Sequence, residues 1–222
     1  MPALRPDEKT VRPAVILAGG HGHRIGGDKP FVRLSGTPLL DHVLARLRPQ
    51  ADPIALNADA DDPRLRTYAL PILSDSTADR RGPLAGLAAA LRWARDSLQC
   101  DRVALVPVDA PFLPTDCLER LLAGGSAISI AASGGRVHPV VGCFSTTLLD
   151  DLEDHLGRAE RTSVMAWVDR HAPDIVVFDP VRIGSRDVDP FFNINTQDDL
   201  AAAAAILAAD PSAAAPLSGR GR

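Results

Sequence analysis

A chain of 222 residues, 45% of them hydrophobic, is long enough for one α/β domain and short for two. Its 24 basic residues against 28 acidic ones give a net charge of −4, which excludes a broad nucleic-acid face, and no apolar run reaches membrane-spanning length. Three widely spaced cysteines, Cys100, Cys117 and Cys143, form no CxxC pair, so buried free thiols are expected rather than disulfides or a zinc site.

In chain order, residues 1–12 are polar, carry charge without an apolar core, and read as a loosely ordered tail rather than a signal peptide. Together with the free thiols this suggests a cytoplasmic protein. One domain is expected over 13–209. Its first strand is the apolar run 14–18, of the kind buried on both faces of a parallel sheet. A glycine-rich loop follows to Lys29. Pro38 opens a helix in which Leu39, Leu40, Val43, Leu44 and Leu47 recur at helical spacing. Short strands are expected at 53–57 and 70–73, with a helix from Pro83 to about Ala94. The very apolar run 103–108 is a fourth strand, ending at Asp109. Thr115 is placed to cap a helix to about Leu122. Residues 127–131 form a fifth strand and 140–144 an antiparallel return. Helices are expected at 147–156 and 163–170, and a late strand at 175–178. Thr196 with Asp199 has the spacing of a capping box opening an Ala-rich helix to about Ala209. Residues 210–222, rich in Ala, Pro, Ser and Gly, read as a disordered tail.

Strand and helix alternate through the first half, which implies right-handed βαβ units and a mostly parallel, Rossmann-like α/β sheet with helices on both faces. Ligands of such sheets bind beyond the carboxyl ends of the strands. Four polar features fall at those ends: the loop from Gly19, Asn57, Asp75 and Asp109.

The loop places Gly19, Gly20, Gly22, Gly26 and Gly27 around Arg24, with Lys29 at its end. Glycines let backbone N–H groups approach a phosphate, and the two cations add charge. A Walker A loop is disfavoured because Asp28 precedes Lys29 and Pro30 follows it. A dinucleotide fingerprint is disfavoured because Ile25 stands where its last glycine belongs. Asp109, directly after a buried strand, suits a hard cation such as Mg²⁺ bound jointly by carboxylate, phosphate and water, and equally a turn aspartate before Pro111. Asn195 is a candidate oxygen donor to the same metal or phosphate, or a helix-entry residue. No Ser-His-Asp order or Cys-His pair stands out.

Taken together, Leu17-Ala18-Gly19-Gly20, Arg24 to Lys29, Gly36-Thr37-Pro38-Leu39, Asn57-Ala58, Asp75, Gly82-Pro83-Leu84-Ala85-Gly86, Pro107-Val108-Asp109-Ala110-Pro111, His138-Pro139-Val140 and Asn193-Ile194-Asn195-Thr196 resemble the molybdenum cofactor guanylyltransferases, the MobA family. The pieces occur in that family's order over roughly 13–205. The resemblance implies the nucleotide-diphospho-sugar transferase type of fold and transfer of GMP from GTP to the terminal phosphate of molybdopterin, with pyrophosphate released. It implies nucleotide contacts at Leu17, Ala18, Gly19, Gly20, Lys29, Asn57, Asp75 and Asp109, with Asp109 also the Mg²⁺ ligand. His138, Asn193 and Asn195 resemble segments on the pterin side. Lys29, Asp109 and Arg24 are the expected catalytic groups, and molybdoenzyme chaperones or cofactor-insertion proteins the expected receivers of product. His21-Gly22-His23 and Ile25 depart from the family's usual loop. The same residues also fit a cytidylyltransferase, another nucleotidyltransferase acting on a phosphorylated acceptor, or a non-catalytic GTP-binding delivery module.

Overall fold

The computed structural model describes residues 11–19, 25, 27–74, 82–158 and 163–209. Strand β1 (Ala14–Leu17) leads through the glycine loop to a single 3₁₀ turn, Lys29–Phe31. Two short strands, β2 (Arg33–Leu34) and β3 (Thr37–Pro38), form a hairpin that feeds helix α1 (Leu39–Leu47), which buries the expected Leu39, Leu40, Val43, Leu44 and Leu47. Next come β4 (Ile54–Asn57), the one-turn α2 (Pro63–Arg66) and β5 (Ile72–Leu73). Helix α3 (Pro83–Arg92) follows Gly82, whose φ of 67° lies in the region that favours glycine, and runs on as a π-helical turn over Trp93–Ser97.

The second half contains β6 (Arg102–Pro107), α4 (Cys117–Leu122), β7 (Ile128–Ser133) and β8 (Arg136–Ser145). Helices α5 (Leu149–Arg158) and α6 (Val164–Val168) precede β9 (Asp174–Val177). A hairpin of β10 (Val181–Ile183) and β11 (Arg186–Val188) precedes α7 (Gln197–Ala208). Both halves of the expected capping box form: Asp199 N–H donates to Thr196 Oγ1 at 3.1 Å, and Asp199 Oδ2 accepts from Thr196 N–H at 2.9 Å. No helix among the described residues is long and apolar enough to cross a membrane.

Seven strands form one sheet in the order β5-β4-β1-β6-β8-β7-β9, parallel except where β8 runs against β6 and β7. The chain builds outward from β1 to β4 and β5, then returns to the other side of β1 for β6. The strand order therefore reverses between β1 and β6, and a crevice opens there at the carboxyl ends. Leu17 is in register with Asn57 on one side and Pro107 on the other, and Asn57 with Leu73, so four strands end in one row.

Alternate residues of β1 serve opposite layers. Ala14 and Ile16 pack with α1 and α4, and Val15 with α3, α5 and α6. A third apolar cluster joins Ile25, Leu34, Leu39 and Phe112 to Ile183, Val188, Ile194, Ala203 and Leu207. It fastens the β10–β11 hairpin and α7 beside the glycine loop.

Two expectations need correction. Thr115 does not cap α4; the helix begins behind Asp116, whose side chain bonds no helix amide. The amide of Leu118 donates instead to buried Gln50 Oε1 at 2.9 Å, while Gln50 Nε2 donates to Pro114 O at 2.8 Å, so the turn after α1 supplies the cap. The return strand begins at Arg136 rather than Val140, and its register shifts between Ile130 and Ala131. Pro139, which has no N–H to give a ladder, sits inside the stretch the shift skips.

Candidate active site

The carboxyl ends of β1 and β6 bring three of the expected residues into contact. Lys29 Nζ donates to Asp109 Oδ2 and to Asn195 Oδ1, each at 2.6 Å. The first partner lies 80 residues along the chain and the second 166. Lys29 stands on the 3₁₀ turn that ends the glycine loop, Asp109 two residues past β6, and Asn195 in the irregular segment before α7. Ile194 N–H donates to Asp109 O at 3.0 Å, so the segments carrying the two oxygens are joined through their backbones as well.

The charge balance is local. The Lys29 and Asp109 side chains are 20% and 11% exposed, so their ion pair is shielded more than a surface pair. Asp199 Oδ2 also accepts from Asn195 N–H at 3.0 Å. That bond above all, then the Thr196 contacts and finally the field of Lys29, hold the Asp199 carboxyl below the usual carboxylate range. Asp109 Oδ1 is buried and has no hydrogen-bond partner among the described residues. An orphaned carboxylate oxygen beside a carboxamide oxygen is the donor chemistry a hard divalent cation takes. No group of three or more His, Cys, Asp or Glu residues with metal-site geometry occurs among the described residues.

Leu17, Ala18, Gly19 and Asn57 form the neighbouring wall. The Ala18 and Gly19 amides both donate to Asn57 O, at 2.9 and 3.0 Å, so these two N–H groups are spent inside the sheet. The Gly19 amide is therefore not free for the expected phosphate nest. Asn57 is buried, and its Nδ2 donates to Leu73 O at 3.0 Å. Gly86, on α3, allows this packing: a Cβ there would lie 2.4 Å from Asn57 Oδ1 and 2.5 Å from Leu17 Cδ2. The Gly82–Gly86 motif contained this residue, but only the α3–β4 approach reveals its task. Gly20, Arg24 and Asp75 lie outside the described residues. Asp28, next to Lys29, accepts from Arg64 Nη2 at 2.6 Å, and the Arg64 guanidinium rests over the Phe31 ring at 4.0 Å.

Of the residues expected on the pterin side, Asn193 is half-buried two residues from Asn195. His138 does not present an open face. It is 5% exposed, its ring lies against Phe191 with centroids 4.9 Å apart, and its Nε2 is 2.9 Å from Ser133 Oγ. Ser133 Oγ in turn donates to Asp189 Oδ1 at 2.6 Å. Burial pushes the His138 imidazole below its usual pKa, against a smaller upward pull from Asp189. The sequence showed no such grouping, because three residues from β7, β8 and the stretch after β11 meet only through the sheet.

A family model described as a MobA-like NTP transferase domain matches residues 14–174, a span that holds Lys29 and Asp109 and stops short of Asn193 and Asn195. The molybdenum cofactor guanylyltransferase of Rhizobium rhizogenes is 40% identical over 214 residues, covering 94% of this chain and 98% of that one. Its namesake in Rhizobium leguminosarum bv. trifolii is 42% identical over 192 residues, covering 85% and 90%. The crystal structure of molybdopterin-guanine dinucleotide biosynthesis protein A from Archaeoglobus fulgidus superposes with a TM-score of 0.68 at 25% identity, covering 88% and 98%. A 4-diphosphocytidyl-2C-methyl-D-erythritol synthase from Anaerococcus prevotii shares the fold, with the same TM-score at 16% identity and 89% and 96% coverage. The chain belongs to the MobA-like nucleotidyltransferases.

Proposed function

We propose that this protein transfers GMP from GTP to the terminal phosphate of molybdopterin, releasing pyrophosphate and forming the guanine dinucleotide form of molybdenum cofactor. The observation that carries this reading is the meeting of Lys29, Asp109 and Asn195 where the strand order reverses, in a chain whose 40%-identical relatives bear the name molybdenum cofactor guanylyltransferase. In the reaction an oxygen of the acceptor phosphate attacks the α-phosphorus. The new P–O bond forms as the α–β bond breaks, and its electron pair leaves with pyrophosphate. A phosphate monoester is already anionic near neutral pH, so no strong general base is needed.

The difficulty is bringing two anions together. Unit charges about 4 Å apart repel by roughly 4 kcal/mol at an effective dielectric near 20. The Lys29 ammonium offsets that repulsion and the charge that builds on the leaving group, and Arg24 adds a second cation. Asp109, with its unpartnered oxygen, and Asn195 are the residues to hold Mg²⁺. Mg²⁺ bound there supplies Lewis-acid charge to the phosphate oxygens. Leu17, Ala18, Gly19, Gly20, Asn57 and Asp75 bound the nucleotide. Asn193 faces the acceptor side. Catalysis is mostly positioning and charge neutralisation. The working compartment is the cytoplasm, and product passes to molybdoenzyme chaperones or insertion proteins.

The test is incubation with GTP, Mg²⁺ and molybdenum-loaded pterin, with the product identified by mass. A guanine dinucleotide is expected. Preference for CTP in a nucleotide panel overturns the base assignment, and tight GTP binding without pyrophosphate release overturns the catalytic one.

A further inference from the structure

We infer that His138, Ser133 and Asp189 form a positioning device for the transfer site, holding the segment 189–195 so that Asn195 meets Lys29. The inference rests on the proposed reaction and concerns how this chain builds the site.

Asn195 lies on irregular backbone between β11 and α7, with no ladder to fix it. Its contact with Lys29 nevertheless measures 2.6 Å. The segment is pinned at both ends. The far end is pinned by the capping box and by Ile194 N–H on Asp109 O. The near end is pinned at Asp189. Asp189 Oδ1 accepts from Ser133 Oγ at 2.6 Å and from Phe191 N–H at 2.9 Å, which ties the turn into the segment to the end of β7. Phe191, 1% exposed, then packs between His138 and Phe178, with its ring centroid 4.9 and 5.1 Å from theirs.

The direction of the hydrogen bonds separates this arrangement from a nucleophilic triad. A hydroxyl has one proton, and that of Ser133 goes to Asp189. His138 Nε2 must therefore donate to Ser133 Oγ, so it carries the proton a general base would have to accept. Ser133 is also 2% exposed, beyond the reach of a substrate phosphate. The order is histidine to serine to aspartate, running from the buried strands outward to the segment that carries Asn195. The bulge around Pro139 aids this, since the register shift pairs His138 with Ala131 and returns its ring towards Ser133.

The experiment uses the full-length protein, with Ser133→Ala, Asp189→Ala, Asp189→Asn, His138→Leu, His138→Gln, Asn195→Ala and the double variant Ser133→Ala/Asn195→Ala. Folding is checked by circular dichroism and thermal midpoint. Ser133→Ala and Asp189→Ala should lower kcat about ten- to hundredfold, the usual cost when support behind a contacting group is lost. Asp189→Asn keeps an acceptor and His138→Gln keeps a donor, so each should recover most of the turnover that Asp189→Ala and His138→Leu lose. In the Asn195→Ala background, Ser133→Ala should cause no further loss of kcat. A crystal structure of Ser133→Ala should show Asn195 Oδ1 beyond hydrogen-bond reach of Lys29 Nζ. Losses that multiply in the double variant, no rescue by Asn or Gln, or an unmoved Asn195 each overturn the inference. Wild-type protein that makes no dinucleotide refutes the proposed reaction instead, and the crystallographic result still decides the positioning.

Discussion

Replacing Gly86 with alanine inserts one methyl group where α3 meets the ends of β1 and β4, the walls of the proposed nucleotide site. Its Cβ would stand 2.4 Å from Asn57 Oδ1 and 2.5 Å from Leu17 Cδ2. Unstrained contact between heavy atoms needs about 3.5 Å, so the Asn57 and Leu17 side chains, or the elements that carry them, must shift by about 1 Å. In a helix interior, glycine to alanine gains about 1 kcal/mol from propensity, and overpacking costs about 1–3 kcal/mol. Global stability should therefore fall by only about 0–2 kcal/mol. Nucleotide binding has no share in the propensity gain. Holding Asn57 and Leu17 in their binding positions costs the overlap itself, so GTP affinity should drop about 5–150-fold. Isothermal calorimetry with GTP measures the drop, and a denaturant titration measures stability separately. Gly125→Ala is the control, since a Cβ at that position meets nothing within 4 Å. GTP affinity in Gly86→Ala equal to that of wild type would refute the placement of Asn57 and Leu17 in the nucleotide site.

Lys29→Ala and Asp109→Ala should each lower turnover at least about a hundredfold in folded protein, as expected for losing a preorganised charge-stabilising group, with pyrophosphate release as the readout. Asp199→Ala should lower stability by about 1 kcal/mol in denaturant melts, because the Asn195 and Thr196 amides lose their carboxylate acceptor while the Thr196 cap itself remains. The Asp199 carboxyl is depressed in the folded state, so its contribution is present above the unfolded pKa of 3.8 and fades as pH falls through the folded value. The stability gap between wild type and Asp199→Asn should accordingly shrink in acid. Cys117 and Cys143 are 0% and 1% exposed, and burial pushes the Cys143 thiol up to about 11. A disulfide reagent at pH 8 should modify at most the half-buried Cys100 in folded protein, and all three thiols in denaturant.

Much of the sheet was legible because its signals are local. The run at 14–18, the leucine spacing of α1 and the Thr196–Asp199 pair each contain their own reason for folding as they do. Short hairpins were not legible: β2–β3 and β10–β11 have strands of two and three residues, too brief for alternation to show. Gly36 and Gly184 at their turns were the available signal. Thr115 misled because a distant partner, Gln50 in the turn after α1, took the cap's task. At the site, Asp109 could be placed by the end of an apolar run. That Lys29 would bridge it to Asn195 could not, since no pattern within a window of chain encodes a contact across 166 residues. His138 was recognisable as a motif residue, but its burial depends on Phe191 and Ser133, which only the folded sheet brings to it.

The long reach from Lys29 to Asn195 also gives the site a history. Every strand of the seven-stranded sheet is complete by Val177, whereas the second oxygen on Lys29 belongs to residue 195. A ribosome adding about 5–20 residues per second delivers that last stretch roughly one to four seconds after the sheet can close. In that interval Asp109 is the one of the two oxygen partners of Lys29 already synthesised. The strands that end at Lys29 and Asp109 are thus synthesised before the segment that carries Asn195.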